Sequence, residues 1–187
     1  MENKTNSELS LYERARDFAI KAHRNTNCLY DGKHYGVHLM MVVHVAKKYK
    51  HLLRINLKMD DTEIEQVMCA CWLHDVYEDC RITYNDLKKV FGVEIAEIVF
   101  ALTNNKGRTR KERAGDDYYD QIILNPAARF VKICDRIANV TYSKENQSKM
   151  IHVYREENAY FISKLNCYND PLQNMFDELN DILNNEE

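Results

Sequence analysis

Apolar residues recur along this chain at spacings of three and four, the signature of helices that each bury one face. Leu11, Ala15, Phe18, Ala19 and Ala22 form the first such stripe and predict a helix from Glu8 to Arg24. Asn25 to Gly36 is polar, holds two glycines and predicts a loop. A second helix is expected from Val37, with Met40, Met41, His44 and Val45 on its apolar side. Lys47 to Asp61 is mixed and basic, either an irregular connection or an extension of that helix. Asp60, Asp61 or Thr62 would cap a third helix, striped by Ile64, Val67, Met68, Cys71 and Trp72.

Further on, Thr83 and Asp86 resemble a capping box, and Gly92 marks the stop of the short helix it opens. Val93 to Leu102 predicts a helix with Ile95, Ile98, Val99 and Leu102 inside, and Asn104 to Arg113 a basic loop. Tyr118 to Leu124 is expected to be helical. Asn125-Pro126 is a cap with proline at the first helical position, opening a helix that aligns Val131, Asp135, Ala138 and Asn139. Two helices close the pattern, Ile151 to Leu165 and Pro171 to Leu183. Asp170 would cap the last, whose stripe is Leu172, Phe176, Leu179 and Ile182.

Composition narrows the fold. Five glycines and two prolines are too few for the turns of a sandwich or barrel, whereas 45% hydrophobic residues can fill a core. The expectation is an all-α single domain over residues 1–187, with a motif-bearing core at about 9–145 and C-terminal helices at about 150–184 packing on it. A net charge of -3, with both signs mixed along the chain, argues against a nucleic-acid partner. No apolar run approaches the roughly 20 residues that cross a bilayer, and Met1 to Ser10 is polar without a signal-peptide pattern. The six cysteines lack CxxC spacing and are expected as free thiols in a reducing cytoplasm.

The third helix brings in chemistry. Extending its stripe by threes and fours lands on Asp75, then on Glu78 and Asp79, so a core-facing stripe turns acidic at its end. Buried carboxylates are costly unless they are paired or bind a metal. Asp135 repeats this on an otherwise apolar face. His38, His74, Asp75 and Asp135 together offer two imidazoles and two carboxylates, a set that leaves open positions on an octahedral ion. Mn²⁺ or Fe²⁺ (or another divalent ion) suits it better than catalytic zinc, which usually takes three protein ligands. Glu78 and Asp79, one turn on, would orient or deprotonate a water whose pKa the ion has lowered. Plainer readings stand beside these. The His74 string would also serve as a charged helix end, Asp135-Arg136 as an ion pair, and Lys106 to Arg113 as a solvated loop rather than a phosphate site. His23 reads as structural, and Tyr118, Tyr119, Tyr154 and Tyr160 as packing residues.

The order His, His-Asp, Asp resembles that of the HD superfamily of metal-dependent phosphohydrolases. The finer strings are Tyr35-Gly36-Val37-His38, Trp72-Leu73-His74-Asp75-Val76-Tyr77-Glu78-Asp79 and Val131-Lys132-Ile133-Cys134-Asp135-Arg136-Ile137-Ala138-Asn139. They are similar to the hydrolase domain of RelA/SpoT homologues and to the small alarmone hydrolases, over Ala15 to Tyr142. The resemblance implies a helical HD bundle, one Mn²⁺, and removal of pyrophosphate from the 3′ position of a guanosine alarmone. It implies metal binding by His38, His74, Asp75 and Asp135, water activation by Glu78 and Asp79, and substrate contacts by Asn139. Lys106, Arg110 and Arg113 fall in the segment where the family places basic residues near phosphates. The loop Asn27 to Lys33 lacks the arginine that packs on guanine in the relatives, and Tyr30 is the aromatic residue available to stack there. Another nucleotide phosphohydrolase, such as a nucleotidase, is therefore the competing enzyme, and a catalytically silent nucleotide sensor the competing non-enzyme.

Overall fold

A computed structural model describes residues 9–185. Glu8, the expected start of the first helix, and residues 1–7 lie outside that range. The described chain is a bundle of helices with one short β-hairpin, in agreement with the all-α expectation. No described helix is long and apolar enough to cross a membrane.

Helix α1 (Leu11–Asn25) starts at a Ser10 capping box closed by Glu13 and buries Ala15, Ala19, Ala22 and His23. The expected loop contains strands β1 (Leu29–Tyr30) and β2 (Lys33–His34), paired Leu29 to His34 and Tyr30 to Lys33. Asp31 (φ 49°) and Gly32 (φ 73°) take the left-handed conformations of a tight hairpin turn. The hairpin leans on the far end of the sequence. Lys33 Nζ donates to the Tyr142 hydroxyl at 3.0 Å, and that hydroxyl donates to Asp31 Oδ2 at 2.8 Å.

Helix α2 (Gly36–Ile55) runs through the ambiguous basic segment without a break. Its buried face is Leu39, Val42, Val43, Ala46, Tyr49 and Leu53, while Met40 (56% exposed) and His44 face outward. Of the expected stripe, Val45 is buried and Met41 packs partly buried against the core, whereas Met40 and His44 are exposed. Helix α3 (Asp61–Leu73) is capped by Asp60 with Glu63, and its stripe is buried as expected. It stops at Leu73. Helix α4 (Val76–Asp79) is a separate turn, so the acidic stripe does not continue on one helix, and Glu78 is exposed rather than inward-facing.

The Thr83 capping box opens α5 (Tyr84–Phe91), and Gly92 at φ 92° separates it from α6 (Val93–Leu102). The basic loop closes with a single turn, α7 (Arg110–Arg113), followed by α8 (Asp116–Ile123). Asn125 caps α9 (Pro126–Glu145). After α10 (Met150–Leu165), the last helix α11 (Gln173–Asn184) begins beyond the expected proline. Asp170 does not cap α11. Its carboxylate accepts the backbone N–H groups of Cys167 and Leu172 and pairs with the buried Arg129 on α9.

Helix α9 packs against α2, α3, α6, α8, α10 and α11, and α3 packs against α1 and α2. Leu39, Leu73, Phe130, Ile133, Ile137 and Phe176 are essentially fully buried in one continuous core. Each such side chain contributes about 1.5–3 kcal/mol over its exposed state. This core fixes α2, the α3–α4 break and α9 relative to one another.

Candidate metal centre and its cavity

His38 lies in the first turn of α2, His74 directly after α3, Asp75 directly before α4, and Asp135 midway along α9. The two imidazole Nε2 atoms face each other at 3.3 Å. Asp75 Oδ2 stands 2.9 Å from His74 Nε2 and 3.5 Å from His38 Nε2. Asp135 Oδ1 stands 3.3 Å from His38 Nε2 and 3.8 Å from His74 Nε2. One donor atom from each of His38, His74 and Asp135 falls within 4.8 Å of the others, and Asp75 reaches both imidazoles from the side.

The orientation of these groups fits a divalent ion. His74 Nδ1 lies 3.0 Å from the Cys71 carbonyl, so that nitrogen carries the proton and Nε2 presents its lone pair to the cluster. Asn139 Nδ2 donates to Asp135 Oδ1 at 2.6 Å, and Lys132 Nζ donates to Asp135 Oδ2 at 3.1 Å. The Tyr35 hydroxyl donates to Asp75 Oδ2 at 2.5 Å. The Nδ1 of His38 is buried without a partner among the described residues.

The charges tell the same story. Burial opposes ionisation of both carboxyls. Even so, Asp75 is driven well below its usual range by His74 and His38, and Asp135 falls by virtue of Lys132 and the same imidazoles. Burial likewise disfavours imidazolium, yet the two carboxylates raise His38 to about 9 and push His74 upward. Two largely buried carboxylates draw in positive charge, which a divalent cation supplies without protonating the imidazoles.

His38, Asp75 and Asp135 line a cavity of about 730 Å³. Glu78, Asn139, Arg110 and Arg113 line it, with Lys111, Lys132 and Arg136 as further cations and Asp116, Glu156 and Glu157 as further carboxylates, Glu157 pairing with Arg110 and Arg136. Glu78 is held there by the Asn104 backbone N–H (2.9 Å) and side-chain amide (2.8 Å). Asp79 is not part of this wall and borders a separate hollow beside Ala22, Asn25 and Cys80. Lys106 is exposed and outside the cavity lining. Tyr30 stacks on His38 (4.7 Å, 13°) and donates to Asn139 Oδ1 at 2.8 Å, so one of its faces is already covered. Tyr118, Tyr119 and Tyr154 pack inside as expected, whereas Tyr160 is 42% exposed at the cavity.

Two residues around the cluster escaped the sequence reading of roles: Tyr35 and Lys132. Tyr35 and Lys132 stand inside the quoted strings and were legible as polar residues one turn from a ligand. His23, expected to be structural, is completely buried in α1 with its Nδ1 tied to the Ala19 carbonyl at 2.9 Å.

No protein-family model matches the chain. A guanosine-3′,5′-bis(diphosphate) 3′-pyrophosphohydrolase of Aquifex aeolicus is 31% identical over 120 residues, covering 61% of this chain and 16% of that protein. The 3′-pyrophosphohydrolase MESH1 of Danio rerio is 32% identical over 79 residues, covering 42% of this chain and 43% of the relative. The chain thus spans less than half the length of these curated relatives. A solved structure described as a metazoan ortholog of SpoT that hydrolyzes ppGpp superposes with a TM-score of 0.60 at 19% identity, over 96% of this chain and 97% of that one. The resemblance read from the motifs is borne out: in fold and in sequence, this chain is similar to the HD-type (p)ppGpp 3′-pyrophosphohydrolases.

Proposed function

We propose that the chain is a metal-dependent phosphohydrolase that removes pyrophosphate from the 3′ position of a guanosine alarmone. The observation that carries this reading is the convergence of two imidazole nitrogens and two carboxylates beside a cavity whose lining includes Arg110, Lys111 and Arg113. His38, His74, Asp75 and Asp135 would hold one Mn²⁺. When bound, the ion polarises the phosphoryl oxygen and makes water a better nucleophile.

The protein's own groups do the rest. Glu78, the carboxylate of the Glu78-Asp79 pair that lines the cavity, orients the attacking water and takes up its proton. Arg110 and Arg113 offset the charge of the leaving pyrophosphate. Asn139 holds Asp135 and the edge of the site nearest Tyr30. The substrate is a small nucleotide, and a cytoplasmic location, where its cysteines stay reduced, accords with this reading.

The covered face of Tyr30 favours keeping a second reading, hydrolysis of another nucleotide, because the aromatic residue offered for guanine packs on His38 instead. A chromatographic panel of nucleotides with Mn²⁺ decides between them. Pyrophosphate release from a 3′-pyrophosphorylated guanosine, abolished in Asp75→Ala, is the expected result. Turnover of nucleoside monophosphates alone would select the second reading, and no turnover at all would refute both.

A further inference from the structure

The two imidazoles of the cluster are held in different ways. His74 is anchored by its Nδ1, 3.0 Å from the Cys71 carbonyl. Metal-binding histidines usually fix their second ring nitrogen in this manner. His38 has no such anchor, because its buried Nδ1 lacks a hydrogen-bond partner among the described residues. Aromatic packing holds its ring instead. Tyr30, from strand β1, lies flat against one face (4.7 Å between centroids, 13° between planes), and Tyr35 meets the ring edge-on (5.4 Å, 76°).

Tyr30 reaches a second donor through its hydroxyl. That hydroxyl donates to Asn139 Oδ1 at 2.8 Å. Asn139 Nδ2 in turn donates to Asp135 Oδ1 at 2.6 Å and to the Asp135 carbonyl at 3.0 Å. Asp135 Oδ1 is the atom that stands 3.3 Å from His38 Nε2. The far end fixes the sense of this relay. A carboxylate and a carbonyl only accept, so the amide turns its nitrogen to Asp135 and its oxygen to Tyr30, which must supply a proton. Burial, with Tyr154 and Asp135 nearby, raises the Tyr30 phenol above its ordinary value, so that proton is kept at neutral pH. The hairpin is pinned separately, by the contacts of Lys33 and Asp31 with the Tyr142 hydroxyl, and those contacts touch none of the four donors.

We propose that Tyr30 is a positioning residue of the metal centre: its ring sets the plane of His38, and its hydroxyl, through Asn139, sets the direction of Asp135. This rests on reading the cluster as a metal centre. It gives the residue that the sequence offers for stacking on a base a place in the support of two ligands.

The test is a Mn²⁺ titration of the purified full chain, with free Mn²⁺ followed by electron paramagnetic resonance and no nucleotide present. Groups that orient metal ligands typically contribute about 10–100-fold to metal affinity. Tyr30→Phe keeps the stack and removes the relay, and is expected to weaken Mn²⁺ binding by roughly tenfold. Tyr30→Leu removes the stack as well and should weaken it further. In an Asn139→Ala background Tyr30→Phe should add nothing, because the hydroxyl acts through that amide, whereas Tyr30→Leu should still cost affinity. Tyr142→Phe loosens the hairpin without touching a donor, so it should lower the melting temperature and leave Mn²⁺ affinity unchanged. Melting of the metal-free proteins checks folding, and Tyr30→Phe, which loses a single oxygen, carries the test if Tyr30→Leu does not fold. Wild-type affinity in Tyr30→Phe overturns the proposal. So does an equal loss in Tyr142→Phe, which would trace the effect to a loose hairpin, or a wild type that binds no Mn²⁺. A wild type that binds Mn²⁺ but hydrolyses no nucleotide would refute the hydrolase reading and leave the positioning result intact.

Discussion

Glu157 on α10 holds two arginines from different parts of the chain. It accepts from Arg110 Nε at 2.5 Å and from Arg136 Nη1 at 2.9 Å, and both guanidinium groups lie over the Tyr154 ring. Burial would raise its carboxyl, but the two arginines outweigh this and hold it below its ordinary 4.5. A carboxyl whose folded pKa is depressed stabilises the fold above its unfolded value, and that contribution disappears as pH falls through the folded value. Glu157→Gln is therefore expected to melt lower than wild type at neutral pH, with the gap narrowing steadily below pH 4.5. Paired thermal melts across the acid range measure it, and a gap independent of pH would contradict the ion-pair account. None of this was visible in the sequence, where Arg110 and Glu157 are 47 residues apart and neither interrupts a stripe.

At the scale of elements, the sequence yielded what periodicity and caps encode. The stripe of α3, the capping box of α5, the Gly92 stop and the Asn125-Pro126 start all stand where expected, because each is a local device whose chemistry lies within a few residues. The two proposed carboxylate donors, Asp75 and Asp135, were legible for the same reason: a carboxylate on an apolar stripe is a local anomaly. What could not be read was the break at His74-Asp75, since no proline or glycine announces it. The exposed side of Glu78 follows from that break. The role of Tyr30 depends on Asn139, 109 positions away, and is set by tertiary packing alone.

Asp170 is the same lesson in a form that can be tested. Sequence reading makes it a cap, but the fold uses it to tie the loop before α11 to Arg129, with its side chain fully buried. Asp170→Ala would strand the buried guanidinium and should cost about 3–5 kcal/mol. Arg129→Met combined with Asp170→Ala should recover part of that loss, because the orphaned charge is gone while the N–H groups of Cys167 and Leu172 still lack their acceptor. Urea denaturation of the single and double variants reads both effects. Equal stability of the two would place the cost in the backbone contacts and not in the charge.

For the whole molecule, the cluster joins elements that only the tertiary fold brings together: α2, the α3–α4 junction and α9. In the unfolded chain His38 and Asp135 are separated by nearly a hundred residues, so no comparable site exists there and binding energy becomes folding energy. A ligand that binds only the native state stabilises it by about 2.7 kcal/mol at a hundred times its dissociation constant. Mn²⁺ should therefore raise the melting temperature progressively with concentration, and a chelator should reverse the rise. The metal-free protein is expected to remain folded, because the continuous core surrounding α9 does not include the donors. Asp75→Asn should keep the metal-free melting temperature close to wild type and lose most of the Mn²⁺-dependent increment, since the amide retains the shape but not the charge that draws the ion. A melting temperature of wild type that ignores both Mn²⁺ and chelator would show that the four donors stabilise one another as a closed polar network. In that case the fold would need no ion, and the cavity alone would have to account for any nucleotide bound.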